Sequence, residues 1–184
     1  MDASRTRLLE LLTKQSFERR KVTLSSGRES DFYIDCKRTT LTAEGHWVIG
    51  HALLALIRER APAARAVGGL TLGADPIASA VSTVSQMLKT PLDAFIVRKE
   101  PKSHGTSHWI ERPHSVQAGT PVVIVEDVVT TGASTLRAIE RARAEGLEVL
   151  GAFALVDRLE GGREAIEAKG ERLYSLFTQK DFMS

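Results

Sequence analysis

The apolar positions change period several times along the chain. Leu8, Leu9, Leu11 and Leu12 mark an N-terminal amphipathic helix, and between His46 and Ile57 the residues Val48, Ile49, Ala52, Leu53, Leu56 and Ile57 share one helical face. Thr42 stands where it can cap that helix. Beyond it the pattern alternates. Ala66 to Leu70 reads as a short strand, Asp75-Pro76 as an N-cap with proline at the first helical position of a helix reaching about Leu88, and Leu92 to Val97 as a strand. Pro121 to Val125 is a strand of mostly β-branched residues, Val149 to Val156 is another, and a helix runs between them from near Ser134 to near Gly146. Continuous apolar strands alternating with helices predict an α/β fold: a doubly wound, mostly parallel sheet flanked by helices. The first 40 or so residues are left over as an added hood.

One connection is out of proportion. Arg98 to Thr120 is 23 residues long with little apolar periodicity, whereas connections in compact domains are usually about 4–6 residues. It is expected to be a mobile loop with a binding or covering role. No repeat, linker or low-complexity segment divides the chain, so a single domain over residues 1–184 is expected.

Composition narrows the functional classes. With 184 residues the chain can bury a core without covalent staples, and its formal charge of +2 argues against a general nucleic-acid binder. The single cysteine, Cys36, excludes an internal disulfide and a cysteine-based zinc site. Met1-Asp2-Ala3-Ser4-Arg5 has no apolar core behind a basic head, so no secretory signal is expected. The stretch from Gly45 to Ile57, free of Asp, Glu, Lys and Arg, is only 13 residues long, short of the roughly 18 that span a membrane. A cytoplasmic domain is the expectation. His104, His108 and His114 do not complete a zinc set by spacing.

The chemistry concentrates after the strand at residue 121. Val122-Val123-Ile124-Val125 leads into Glu126-Asp127-Val128-Val129-Thr130-Thr131-Gly132-Ala133-Ser134 and a helix. In a parallel sheet, ligands sit at the carboxyl ends of strands. A small, hydroxyl-rich turn opening a helix offers backbone N–H groups to a phosphate. The two carboxylates would repel a phosphate but suit sugar hydroxyls or a metal ion beside it. The ligand with both features is a phosphorylated sugar. The stretch lacks the Gly-Lys-Ser/Thr ending of a Walker loop.

This stretch resembles the phosphoribosyl-diphosphate (PRPP) signature of the type I phosphoribosyltransferases. The resemblance implies that Thr130, Thr131, Gly132, Ala133 and Ser134 cradle the 5′-phosphate, that Glu126 and Asp127 face the ribose, with Asp127 catalytic, and that Val128 and Val129 complete the PRPP site. The long connection carries Arg98-Lys99-Glu100-Pro101-Lys102-Ser103-His104-Gly105, which resembles the catalytic loop of the orotate-using branch of that family. Arg98, Lys99, Lys102 and His104 are implied to contact PRPP, reaching into the neighbouring subunit of a homodimer, with Lys102 the principal catalytic cation. Leu24 to Tyr33 is similar to the family's hood, Gly69 to Ile77 occupies the place of its pyrophosphate loop, and Ala154-Leu155-Val156-Asp157-Arg158 resembles the segment whose arginine takes the orotate carboxylate, with Thr130 also on orotate. Two departures stand out: Ser25 and Gly73 occupy positions where many members have lysine.

The implied activity is orotate phosphoribosyltransfer in pyrimidine biosynthesis, with PRPP and orotate as substrates and Mg²⁺ as cofactor carried by PRPP, without a direct protein ligand. A type I enzyme for another base and a PRPP-sensing regulator are the competing readings. Arg158 and the basic loop count against the first, and the complete basic loop with a net charge of only +2 against the second.

Overall fold

The computed structural model describes residues 3–23, 29–101 and 108–183. Helix α1 (Ala3–Leu11) continues into a wider π-helical turn, Leu12–Ser16, and then into an antiparallel hairpin of β1 (Phe17–Thr23) and β2 (Glu29–Ile34). The short α2 (Lys37–Thr40) leads to α3 (Ala43–Arg60), where the Thr42 hydroxyl accepts the Gly45 N–H at 3.0 Å, as its position predicts. There follow β3 (Ala66–Leu70), α4 (Asp75–Met87), β4 (Asp93–Val97), β5 (Ile110–Glu111), β6 (Pro121–Val129), α5 (Ala133–Ala144), β7 (Glu148–Asp157), α6 (Gly162–Glu167), β8 (Leu173–Thr178) and α7 (Lys180–Met183).

The central sheet has the order β5-β4-β3-β6-β7-β8, all parallel except β5. Alternation along the strands splits the core in two. Val67, Val123, Val125, Phe153 and Leu155 pack with α1, α3 and α4, while Ala66, Val122, Ile124, Ala152 and Ala154 pack with Ala138, Ile139 and Ala142 of α5. The expected doubly wound α/β sheet is therefore present.

Three local expectations need correcting. Asp75 is the first residue of α4 rather than its cap, because its carboxylate accepts the Thr71 hydroxyl at 2.6 Å instead of capping the helix. The strand from Pro121 does not stop before the acids. It pairs with β7 as far as Val129↔Asp157, since Val128 and Val129 are again β-branched and continue the ladder. The 98–120 connection is not structureless throughout: Ile110 and Glu111 add an edge strand to β4, and Ile110 and Val116 are buried.

Between β3 and β6 the order of the strands reverses. The chain builds β4 and β5 on one side of β3, then returns to place β6, β7 and β8 on the other. A crevice forms at such a switch point outside the carboxyl ends of the two strands.

Candidate active site

Two segments meet at that crevice. From β3 comes the turn Thr71 to Ala74, held because Thr71 N–H donates to the Val97 carbonyl at 2.9 Å and the Thr71 hydroxyl to Asp75. From β6 come Glu126 and Asp127. Their proximity is measured by Gly73: a Cβ there would lie 2.9 Å from Asp127 Oδ1 and 3.3 Å from Glu126 Oε1. A side chain at residue 73 would intrude on the acid pair. Glycine at this position thus lets the turn backbone approach both carboxylates closely. Leu72, next to it, is 71% exposed.

The two acids sit in unlike surroundings. Glu126 is buried, and that burial, with the Asp127 carboxylate beside it, pushes its pKa up to about 8. Asp127 is half-buried and its Oδ1 accepts the Val128 N–H at 2.8 Å. A protonated Glu126 can donate to a ribose hydroxyl while Asp127 accepts from one. The shift also makes stability depend on pH. The folded state keeps a proton that the unfolded chain has lost, so stability conferred by the protonated carboxyl is expected to decline from pH 4.5 to about 8. Chemical denaturation across that range checks this: Glu126→Gln should lack this component, and an identical pH dependence in the variant would contradict it.

The turn beyond β6 is shaped for an anion. Gly132 has φ +78°, the left-handed conformation that opens α5, and no side chain caps that helix. Thr131, Ala133 and Ser134 are exposed and Thr130 is half-buried. The turn rests on Gly162, where a Cβ would come within 2.4 Å of the Thr130 carbonyl oxygen and 2.9 Å of the Gly132 nitrogen. Gly162 thus shapes this turn by close contact, a role the sequence signals only through the Gly161-Gly162 doublet.

Arg158 follows β7, its N–H donating to the Val129 carbonyl at 3.0 Å, so it is adjacent to the Thr130–Ser134 turn. Its guanidinium donates to the Phe32 carbonyl at 3.0 Å and pairs with Glu160 at 2.8 Å. It thereby joins the hairpin to the sheet, a contact not anticipated from sequence. Lys37 is a further cation near the acid pair that the sequence does not single out. It pairs with Asp35 at 3.0 Å, and that contact, together with the Asp127 charge, holds its ammonium above the usual lysine range. A cavity of about 410 Å³ is lined by Lys21, Glu29, Asp31, Phe32, Gln179 and Met183; Glu29, Asp31 and Phe32 belong to the segment expected to be the hood, and none of the six is among the expected PRPP or orotate residues.

On the long connection, the Arg98 guanidinium pairs with Glu111 at 2.9 Å and donates to the Glu100 carbonyl at 3.2 Å, while Lys99 is exposed. Lys102 and His104 lie outside the described residues, as do Ser25 and Arg28 of the hood.

Several known proteins are similar to this chain over most of its length. The phosphoribosyl transferase domain model matches residues 65–170. An orotate phosphoribosyltransferase of Sorangium cellulosum is 49% identical, covering 98% of this chain and 94% of that protein. One from Aquifex aeolicus is 47% identical, with 97% of each chain covered. The crystal structure of Mycobacterium tuberculosis orotate phosphoribosyltransferase in complex with PRPP superposes with a TM-score of 0.80 at 39% identity, covering 98% of this chain and 99% of that one.

Proposed function

Given that the chain belongs to the phosphoribosyl transferase family, in its orotate phosphoribosyltransferase branch, we propose that residues 126–134 hold PRPP and that the 98–120 connection acts on its diphosphate. The enzyme transfers the 5-phosphoribosyl group of PRPP to orotate, giving orotidine 5′-monophosphate and pyrophosphate, in pyrimidine biosynthesis. The observation that carries the site assignment is the meeting of the acid pair, the Gly132 turn and the Gly73 turn at the switch point.

The nucleophile is a ring nitrogen of orotate, so the protein needs no covalent nucleophile, and the fully buried Cys36 is free to be inert. The nitrogen–C1′ bond forms as the C1′–O bond to pyrophosphate breaks; the electron pair leaves with the diphosphate, and the ring N–H proton passes to the departing diphosphate or to water. Positive charge builds on the sugar. Asp127 faces that charge, Glu126 orients the ribose hydroxyls, and the N–H groups of the Thr130–Ser134 turn hold the 5′-phosphate. Lys99, Lys102, Arg98 and His104 neutralise the departing diphosphate; Val128 and Val129 set the acid pair on its strand. Thr130 and Arg158 bind orotate, the guanidinium taking its carboxylate.

Mg²⁺ fits this donor set as an ion carried by PRPP. A protonated Glu126 is a poor ligand for it, and Mg²⁺ keeps several of its waters. When bound, it neutralises diphosphate charge. The chain is read as one domain, with residues 1–40 as hood and 98–120 as the lid, working as a cytoplasmic homodimer whose lid is shared between subunits. Among the described residues no helix is long and apolar enough to cross a membrane.

The test is to mix protein, Mg²⁺ and PRPP with orotate and follow the loss of orotate absorbance. Turnover is expected with orotate. Turnover with a different base and none with orotate would overturn the assignment.

A further inference from the structure

One face of α5 grips both stems of the long connection. On the outgoing stem, the Arg141 guanidinium donates to the carbonyls of Arg98 and, at 3.2 Å, Lys99. The same guanidinium stacks on the Trp109 ring of the returning stem, 3.9 Å from its centroid. One turn further, Glu145 accepts the Trp109 N–H at 3.1 Å and faces the His108 ring at 3.5 Å and the Arg112 guanidinium at 3.6 Å. The two stems are also joined directly, Arg98 N–H to the Trp109 carbonyl at 2.8 Å. Trp109 packs against the core cluster on the α5 face of the sheet.

We propose that Arg141 and Glu145 are positioning residues for the transfer reaction, fixing the backbone from which the diphosphate-binding cations project. The proposal rests on the assignment of the connection to pyrophosphate made above. Arg141 holds the carbonyls of the two residues implied to be cations on PRPP, Arg98 and Lys99. Once these peptide planes are fixed, only side-chain torsions separate the cations from their bound geometry, which reduces the ordering cost of binding. A lysine could not replace Arg141, because the planar fork serves two carbonyls and an aromatic face together. The same helix begins at the phosphate turn about 13 Å away, nine residues at 1.5 Å each. One rigid element therefore sets both the 5′-phosphate turn and the root of the basic arm.

This arrangement separates two ligands. Pyrophosphate depends on the basic arm, whereas orotidine 5′-monophosphate depends on the turn and Arg158. Binding of each to the full-length protein is measured by calorimetry, with the KM for PRPP alongside. Arg141→Ala is expected to weaken magnesium pyrophosphate and raise the KM for PRPP about tenfold, with orotidine 5′-monophosphate within about twofold. Arg141→Lys and Trp109→Leu should show the same split to a lesser degree, and Trp109→Phe, which keeps a ring face, should recover most of the loss. Unchanged pyrophosphate affinity in both Arg141→Lys and Trp109→Leu overturns the proposal, even if Arg141→Ala fails to fold. Equal weakening of both ligands overturns it too, since that marks general damage. Wild-type protein that binds neither ligand would instead refute the functional reading.

Discussion

Lys102→Ala is expected to reduce kcat for orotate turnover by about 10²–10³-fold, the scale set by removing one preorganised charge-stabilising donor from a transition state. Pyrophosphate leaves with several negative charges, and the cations proposed to meet it are not equivalent. Arg98 is shared with Glu111 and the Glu100 carbonyl, and Lys99 is exposed to screening by solvent. Lys102 lies beyond both along the connection and has the compact ammonium suited to a phosphoryl oxygen. Its loss should fall mainly on kcat, because charge on the bridging oxygen develops as the bond breaks. Steady-state kinetics and a thermal melt on the same preparation decide the matter. A melting temperature like that of the wild type is expected, and it separates an effect on the chemistry from a loss of fold. Wild-type turnover in Lys102→Ala would show that the leaving group is neutralised elsewhere.

The parts of this design that follow chain-local rules were legible from sequence. Strand β3 lies where its apolar run places it, Thr42 caps α3, and the 126–134 stretch shows its strand, acids, turn and helix in order. What was hidden depends on residues far apart. Phe17, Phe32 and Phe182 form one aromatic cluster, with Phe17 and Phe182 centroids 5.7 Å apart, yet nothing in the local pattern of α7 says that it closes on a hairpin at the other end of the chain. Arg141 and Trp109 are 32 positions apart in the sequence, and a lone arginine on a helix reads as a solvated charge until its ring partner is seen. The continuation of β6 through Glu126 and Asp127 was obscured because adjacent acids ordinarily mark a strand's end, whereas here β7 continues beside them to Asp157. The hairpin strands offer no apolar run to read, β1 being Phe-Glu-Arg-Arg-Lys-Val-Thr and β2 Glu-Ser-Asp-Phe-Tyr-Ile.

Gly162→Ala is expected to lower kcat/KM for PRPP by about 10²-fold, the cost of displacing bound substrate by about 1 Å. The added methyl group would meet the Thr130 carbonyl oxygen at 2.4 Å, Val129 Cγ1 at 2.6 Å and the Gly132 nitrogen at 2.9 Å. Two of these are backbone atoms of the turn proposed to hold the 5′-phosphate, and the third belongs to a buried valine, so no flexible side-chain end can yield. Either α6 retreats or the turn moves; Ile166 of α6 is fully buried in the core, which resists the first. Overpacking of this kind also costs about 1–3 kcal/mol of stability. Gly161→Ala separates the two effects. Gly161 has φ +92° with nothing within 4 Å of a built Cβ, so its substitution strains the backbone without touching the turn. Both variants should melt earlier than the wild type, but only Gly162→Ala should lose PRPP. Kinetics at saturating orotate with PRPP varied distinguish them, and a wild-type KM for PRPP in Gly162→Ala would mean that the turn yields without cost and that contact with α6 does not shape the phosphate site.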